Sequence, residues 1–143
     1  FRRVLFRSQD IGSWDVSSVT DFYSFMRAYR MDGIFNNGGS PSISGWDTSS
    51  ATNMGYMFYR QTGFDQSLAG WDVSSVTNMD RFMQSCTLST ANYDSTLGGW
   101  SSQSVQNGVN IHFGNSKYSS ATGAAYRTAL VNAGWTITDG GQA

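Results

Sequence analysis

A recurring pattern of apolar and polar positions, centred on tryptophan, organises the chain. Three segments align without gaps, beginning at Ile11, Ile43 and Leu68, and a degraded fourth begins at Leu97. The tryptophans at their centres are separated by 32, 25 and 29 residues. The shortest spacing defines a unit of about 25 residues, and the two longer spacings indicate insertions. The four tryptophans are Trp14, Trp46, Trp71 and Trp100.

The apolar positions of each unit fall in fixed columns relative to its tryptophan. An aliphatic residue stands three positions before it, and Val or Ala stands five positions after it. In the first three units a Phe or Met follows at position eight, and a pair of Met and Phe at positions eleven and twelve. One unit supplies too few apolar residues to enclose a core, so we expect the units to stack. The pattern predicts a solenoid, α/β or mainly β, similar to a stack of leucine-rich repeats.

Polar residues recur in register as well. An Asp and then a Ser pair follow the tryptophan in the first three units, and these residue types favour turns. A further column holds Asn53, Asn78 and Asn107, with Asp21 in the first unit. Its side chains could hydrogen-bond the backbone of a turn or one another in a ladder. We predict a short strand around this column and a short helix or 3-10 turn around the Met and Phe pair. The aspartates are Asp15, Asp47 and Asp72.

Two inserts and the C-terminal segment depart from the repeat. Residues 9–117 form the predicted solenoid, and the inserts near 27–41 and 84–92 are predicted to leave it as loops. Residues 118–143 form a predicted cap. The alternation in VNIHF at 109–113 predicts a strand, as does WTITDGG near the end of the chain. Between them, residues 119–133 predict a helix, with Ser119 or Ser120 as its N-cap and Gly134 as its stop.

The first eight residues, FRRVLFRS, lack the repeat pattern and hold three of the nine basic residues. They coincide with one translated reading frame of a common sequencing adapter. We therefore interpret residues 1–8 as an artefact at the end of a metagenomic fragment. On this interpretation the natural chain begins farther upstream, and any targeting signal lies outside the sequence.

Composition narrows the classes of protein and partner. Charged residues make up 13% of the chain, with no Glu and a single Lys, which argues against a bundle of helices with exposed charged faces. The net charge of −1 and the lack of a basic stripe give no basis for binding nucleic acid. The apolar runs are too short to span a bilayer. The single cysteine, Cys86, excludes an intrachain disulfide and is predicted to be a small buried residue.

The repeat resembles a known bacterial family. The sequence WDVSSVTNM, followed by a Met and Phe pair and by FDQ at 64–66, is similar to the BspA-like, lipoprotein-associated surface repeat. The segment YSSATGAAYRTALVNAGWTITDGG resembles the terminator that follows such repeats. The resemblance covers about residues 9–141 and implies a leucine-rich-repeat-like fold in an exported or cell-surface protein. It implies adhesion more loosely, and the fourth unit departs from it by lacking the Asp and the Met and Phe pair.

Candidate catalytic chemistry is sparse. Two Asp residues of the column could serve as the acid and the base of a hydrolase, but their recurrence in register favours a role in turns. A calcium site needs six or more oxygen ligands from a compact loop, which the Asp and Ser columns do not supply. His112 is the single histidine, and no nucleophile motif lies near it. We therefore predict a protein without catalytic residues, metal or cofactor.

A binding role remains the leading hypothesis. A tryptophan repeated in every unit is more typical of a core than of a platform for sugars. The tyrosines beside the Met and Phe columns are better candidates for an exposed binding surface. We predict a non-catalytic extracellular module, a monomeric part of a larger chain, that binds a host or neighbouring-cell protein or glycan. The alternatives are a hydrolase that uses the Asp column, a carbohydrate-binding module and a spacer without a ligand. The candidate tyrosines are Tyr23, Tyr29, Tyr56 and Tyr59.

Overall fold

The computed structural model describes residues 11–29, 35 and 42–143. The residues assigned above to an adapter, and most of the first insert, lie outside this part. Strands β1 and β2 pair in parallel in a two-stranded sheet, with Asn110 opposite Thr136 and His112 opposite Thr138. The elements in chain order are a 3-10 helix at Ile43–Gly45, helix α1 at Thr90–Ser101, strand β1 at Asn110–His112, helix α2 at Gly123–Asn132 and strand β2 at Thr136–Thr138.

The first three repeats lie side by side, with matching columns opposite one another. Isolated parallel bridges pair Asp21 with Asn53 and Asn53 with Asn78. Met79 pairs in the same sense with Ile111 of β1, which joins the third repeat to the C-terminal sheet. The predicted strands around this column are therefore reduced to bridges, because the chain enters a run of turns directly after them.

Backbone hydrogen bonds join these runs of turns from one repeat to the next. At alternate positions the N–H group of one repeat donates to a carbonyl of the following repeat. The first intervening N–H group, at Tyr23 or Gly55, donates to Oδ1 of the Asp or Asn two residues earlier, and the later ones donate to the carbonyl three residues earlier. In the first repeat the forward donors are Phe22, Ser24, Met26 and Ala28, with Asn53, Gly55, Met57 and Tyr59 as acceptors. The second repeat uses Met54, Tyr56, Phe58 and Arg60 as donors to Asn78, Asp80, Phe82 and Gln84.

These turns require left-handed backbone at residues other than glycine. The φ angles lie between 52° and 68° at Ser24, Tyr56, Arg60, Arg81 and Ser85. Such residues cannot continue a right-handed helix. The described repeats have no helix at the Met and Phe pair, which lies in turns where some N–H groups, such as that of Met57, bond to the carbonyl three residues earlier. The 3-10 helix Ile43–Gly45 precedes its tryptophan.

The apolar columns form a continuous core. Trp46, Trp71 and Trp100 are buried, and the rings of Trp46 and Trp71 stack with centroids 6.0 Å apart. Trp14 differs, because it is 49% exposed at the edge of the first repeat. The prediction of a buried tryptophan column is thus confirmed for three repeats and wrong for Trp14. The predicted burial of Cys86 is confirmed.

Helix α1 contradicts the loop predicted for the second insert. It begins at Thr90 and carries Trp100 on its last turn. The hydroxyl of Ser89 caps its first turn by accepting from the N–H of Asn92. Tyr93, Leu97 and Trp100 are spaced to share one face of the helix, and all three are buried. Within the insert itself, near 84–92, Cys86 and Leu88 are buried, so the insert does not leave the core as a loop.

The C-terminal cap has the helix and strand predicted for it, but its helix begins later than predicted. Helix α2 begins at Gly123, because the hydroxyl of Ser119 accepts the N–H groups of Thr122 and Gly123 and holds the preceding residues in a turn. Gly134 ends the helix as predicted, with φ at +99°. Its N–H bonds to the carbonyl of Val131, which is one bond of a Schellman cap. The two predicted strands are confirmed as β1 and β2.

Candidate functional site

The tryptophan column is a structural ladder of indole hydrogen bonds. The Nε1–H group of each buried repeat tryptophan donates to the carbonyl of the aliphatic residue that precedes the tryptophan of the previous repeat. The distances are 3.0, 2.8 and 2.9 Å for Trp46 to Ile11, Trp71 to Ile43 and Trp100 to Leu68. Because these rings are buried and their N–H groups are bonded, the column serves the scaffold and leaves no ring face for a sugar.

The next repeat also binds the N–H groups of the same aliphatic residues. The N–H of Ile43 donates to Oε1 of Gln66 at 3.1 Å, and the N–H of Leu68 donates to Oγ1 of Thr96 at 3.0 Å. The sequence columns do not reveal these two acceptors, because they differ in type and in distance from their tryptophans. The only signal is the FDQ sequence that contains Gln66.

Each aspartate of the Asp column closes its own turn. Oδ1 of Asp15, Asp47 and Asp72 accepts from both the N–H and the hydroxyl of the serine two residues later, with hydroxyl distances of 2.7, 2.6 and 2.6 Å. The bond from the serine hydroxyl, and then that from the serine N–H, lower the pKa of Asp15 and Asp47. In the described part of the chain none of the three hydrogen-bonds to another, so the structure does not pair them as an acid and a base.

The Asn column supports turns. Oδ1 of Asn53 accepts from the N–H of Gly55 at 3.1 Å, and Oδ1 of Asn78 accepts from the N–H of Asp80 at 3.0 Å. Of the two roles considered above, the local turn is the one observed, because each side-chain oxygen accepts from its own repeat.

The assignment of Asn107 to the Asn column is wrong. Met79 bridges to Ile111, so the residue in register with Asn78 is Asn110 of β1. The bridge residue lies eleven positions after Trp100, compared with eight after Trp71. The fourth repeat is therefore three residues longer at this point, because its tryptophan lies in helix α1.

The four candidate tyrosines lie together on one surface. The rings of Tyr23 and Tyr56 are 5.5 Å apart, and those of Tyr56 and Tyr59 are 5.4 Å apart. Tyr23 and Tyr29 are 50% and 81% exposed. Gly55 leaves room for this packing, because a β-carbon there would lie 3.1 Å from the Tyr23 ring.

Three arginines stack among these tyrosines. The Cζ atom of Arg27 lies 5.3, 5.1 and 5.2 Å from the ring centroids of Tyr29, Tyr56 and Tyr59. Arg60 lies 5.0 Å from Tyr59, and Arg81 lies 5.5 Å from Tyr56. These distances are within the range of cation–π interactions. We call this set the Tyr/Arg surface; it comprises Tyr23, Tyr29, Tyr56, Tyr59, Arg27, Arg60 and Arg81.

Sequence reasoning missed the arginines because they do not share a column. They stand 13, 14 and 10 positions after the tryptophans of successive repeats. They meet because the turns place Arg60 beside Tyr59 of its own repeat and Arg81 beside Tyr56 of the preceding repeat, and both arginines have left-handed backbone. Three arginines within five positions of the Met and Phe columns are the one signal available in the sequence.

Residues 1–126 match the family described as "Mycoplasma protein of unknown function, DUF285". The chain belongs to this family. No curated protein and no solved structure matches it. The family's description names bacteria and assigns no activity. The matched segment includes all four tryptophan units and ends within helix α2.

His112 and Cys86 of this DUF285 chain are engaged by the fold in the described residues. Nδ1 of His112, which is half-buried, accepts from the N–H of Gly114 at 2.9 Å, and burial followed by the charge of Arg81 lowers the histidine's pKa. Burial raises the pKa of Cys86 to about 12. Among residues 11–29, 35 and 42–143, no group of three or more His, Cys, Asp or Glu is placed to hold a metal ion. No helix in the same residues is long and apolar enough to cross a membrane.

Proposed function

We propose that this chain is a non-catalytic binding module of a BspA-like bacterial surface protein and that it engages its partner through the Tyr/Arg surface. The observation that carries the proposal is the convergence of Tyr23, Tyr29, Tyr56 and Tyr59 from two repeats onto one face with three arginines. Tyrosine and arginine are the residue types enriched in binding hot spots, because each combines a large contact area with hydrogen-bonding groups.

We also propose that the repeats form a leucine-rich-repeat-like solenoid. Support comes from the parallel bridges through Asn53, from the repeated indole bonds, and from the forward backbone bonds between successive runs of turns. Such a stack presents the variable positions of each repeat side by side. This arrangement would offer a ligand a surface built from two or three repeats.

The geometry of the Asp column favours binding over hydrolysis. Each carboxylate of the column already accepts two hydrogen bonds inside its own turn, and the single histidine bonds to Gly114 within its own loop. A hydrolase would need two such groups facing one substrate atom. The extracellular location is proposed from the resemblance to surface repeats alone.

Binding of the purified chain to intact cells tests the proposal. The fluorescently labelled protein is incubated with a panel of bacterial and animal cells, and bound fluorescence is compared with that of a Tyr23→Ala, Tyr56→Ala double variant. Tyr126→Ala is the matched control, because Tyr126 is 38% exposed on helix α2, outside the Tyr/Arg surface. We expect cell binding that the double variant loses and the control retains.

Two results would contradict the proposal. Absence of binding to every cell type would favour the spacer hypothesis. Binding that the double variant retains in full, while its circular dichroism is unchanged, would place the binding surface elsewhere on the chain.

A further inference from the structure

We infer that the Tyr/Arg surface binds an acidic polysaccharide, one whose sugar rings carry carboxylate or sulfate groups. This inference rests on the proposed function and gives its ligand a chemical class. It is argued below from the charges of the surface, from its hydrogen-bonding groups and from its size.

Among the described residues, no carboxylate forms an ion pair with the three arginines. Across the described residues the one ion pair joins Arg127 to Asp139, far along the chain from the surface. Asp47 and Asp72 of the Asp column each accept a hydrogen bond from a serine hydroxyl within their own turns. Asp80 precedes Arg81 directly and forms no ion pair with it. Arginines grouped without a carboxylate partner attract an anion from outside.

The guanidinium groups of Arg27 and Arg60 are incompletely hydrogen-bonded. Their Nε atoms are buried and have no partner. Arg60 makes a long bond of 3.4 Å from Nη1 to the carbonyl of Tyr29. The planar guanidinium donates in pairs to carboxylate and sulfate-like oxyanions, with bonds about twice as strong as neutral ones. The side chains of Arg27 and Arg60 are half-buried and that of Arg81 is exposed, so an oxyanion would bond to Nη groups rather than to the buried Nε atoms.

The tyrosines favour a sugar as the carrier of that oxyanion. Each phenol offers an apolar ring and a hydroxyl group that both donates and accepts, which suits the alternating C–H and O–H groups of a saccharide. The surface spans three neighbouring repeats, and paired backbones about 4.8 Å apart give it a width of roughly 10 Å. That width suits a short run of linked sugar units.

Two other acidic polymers are less suited to this surface. A nucleic acid requires a long positive groove, whereas this chain carries a net charge of −1. An acidic peptide commonly pairs with free backbone groups, but the N–H groups of Ser24 and Tyr56 already bond to the next repeat. Both polymers are included in the test as competing outcomes.

The test measures binding of the whole chain to defined polymers by isothermal titration calorimetry. The probes are dextran sulfate, polygalacturonate, unmodified dextran, poly-glutamate and oligothymidylate. We expect dextran sulfate or polygalacturonate to bind, and the comparison of these two distinguishes sulfate from carboxylate. We expect dextran, poly-glutamate and oligothymidylate to bind at least about tenfold more weakly. Dextran lacks the charge, poly-glutamate lacks the sugar ring, and oligothymidylate carries its charge on phosphodiester links rather than on carboxylate or sulfate groups of its sugars.

Charge-matched variants separate this site from general attraction to a polyanion. Arg27→Gln removes one positive charge from the Tyr/Arg surface, and Lys117→Gln removes one from an exposed position directly before the cap. We expect Arg27→Gln to weaken polysaccharide binding about tenfold or more, the effect of losing a charge-assisted bond, and Lys117→Gln to change it less than twofold. Arg27→Lys should give an intermediate loss, because it keeps the charge and loses the planar fork.

Three outcomes would overturn the inference. They are no binding to either acidic polysaccharide, equal effects of Arg27→Gln and Lys117→Gln, and binding of poly-glutamate or oligothymidylate as tight as that of the polysaccharides. In each case the cell-binding experiment still decides the proposed function separately. Loss of cell binding in the tyrosine variant would then indicate a partner of another class.

Discussion

The indole Nε1 of Trp71 donates a 2.8 Å hydrogen bond to the carbonyl oxygen of Ile43, whose own N–H donates to Oε1 of Gln66. Ile43 is fully buried, and its carbonyl also accepts from the N–H of Trp46 at 3.1 Å, so the indole is the second donor to that oxygen. A hydrogen bond at such a site contributes about 0.5–1.5 kcal/mol. One indole therefore stabilises the chain through its hydrogen bond as well as through its apolar area.

Trp71→Phe tests this contribution. The variant keeps an aromatic ring but loses the donor and part of the buried volume, so we expect the free energy of unfolding to fall by about 2–4 kcal/mol. Trp14→Phe is the control, because Trp14 is half-exposed and donates no such bond within the described residues. Urea denaturation followed by circular dichroism measures both. Equal losses in the two variants would contradict the role of the indole bond.

Ser24→Gly should stabilise the protein, unlike most substitutions. Ser24 has a φ of 59°, and its buried hydroxyl has no hydrogen-bond partner. Glycine removes the left-handed strain and the unpaired hydroxyl together, which outweighs its greater freedom in the unfolded chain. We expect a gain of about 1 kcal/mol in thermal or urea unfolding.

The control for Ser24→Gly is Ser104→Gly. Ser104 is exposed, and its φ is not positive. We expect this control to lose up to about 1 kcal/mol, because only the entropic cost of glycine remains. A loss of stability in Ser24→Gly would mean that the left-handed turn is not strained.

Two adjacent glycines of helix α1 should respond oppositely to alanine. A β-carbon on Gly99 would lie 2.2 Å from the carbonyl oxygen of Ala69, which is backbone and cannot move aside alone. A β-carbon on Gly98 would lie 3.0 Å from the partly exposed ring of Tyr126, which can shift. We expect Gly99→Ala to lose about 1–3 kcal/mol. Gly98→Ala should be neutral or gain up to about 1 kcal/mol, because alanine favours helix. Calorimetric unfolding of the pair decides this, and a similar loss in both variants would refute it.

Cys86 should make the fold sensitive to alkali. Its thiol is buried, which raises the pKa from about 9 to about 12, so the unfolded chain releases this proton at lower pH than the folded one. In this window the unfolded state binds fewer protons, and stability falls as pH rises, by about 1.4 kcal/mol per pH unit from this group.

Unfolding experiments between about pH 8.5 and about pH 9.5 test this, below the midpoint near about pH 10 at which the phenols titrate in both proteins. Cys86→Ala should be less stable at neutral pH, because it leaves a small cavity, but its stability should fall less steeply with pH than that of the wild type. Parallel pH profiles for the two proteins would show that the thiol is not the cause.

The sequence predicted the parts of this structure that depend on residue type at a fixed spacing. The buried Trp46, Trp71 and Trp100, the turns closed by the Asp column, and the stop of α2 at Gly134 all follow from such columns. Each reflects a local preference or a repeated burial pattern that a single sequence displays directly.

The parts that were not predicted depend on backbone geometry or on competing patterns. Tyr56, Arg60 and Arg81 have left-handed backbone although none of them is a glycine, so their residue types do not indicate it. Their conformation arises from the bonds to neighbouring repeats. Helix α1 was not predicted, because Trp100 fits both the repeat column and the helical spacing from Tyr93. The meeting of the arginines with the tyrosines follows from those turns, so it could not be found by aligning columns.

The forward bonds between the runs of turns also have a polarity. Within these runs the N–H groups of Ser24 and Tyr56 point toward the following repeat, and the carbonyls of Gly55 and Asp80 point back. The peptide dipoles of each run therefore add in one sense across the molecule. A further repeat added in the same orientation would continue this array of hydrogen bonds. An inverted copy would place its carbonyl groups opposite the carbonyl groups of its neighbour. The turns thus allow the architecture to be lengthened by engineering in only one orientation.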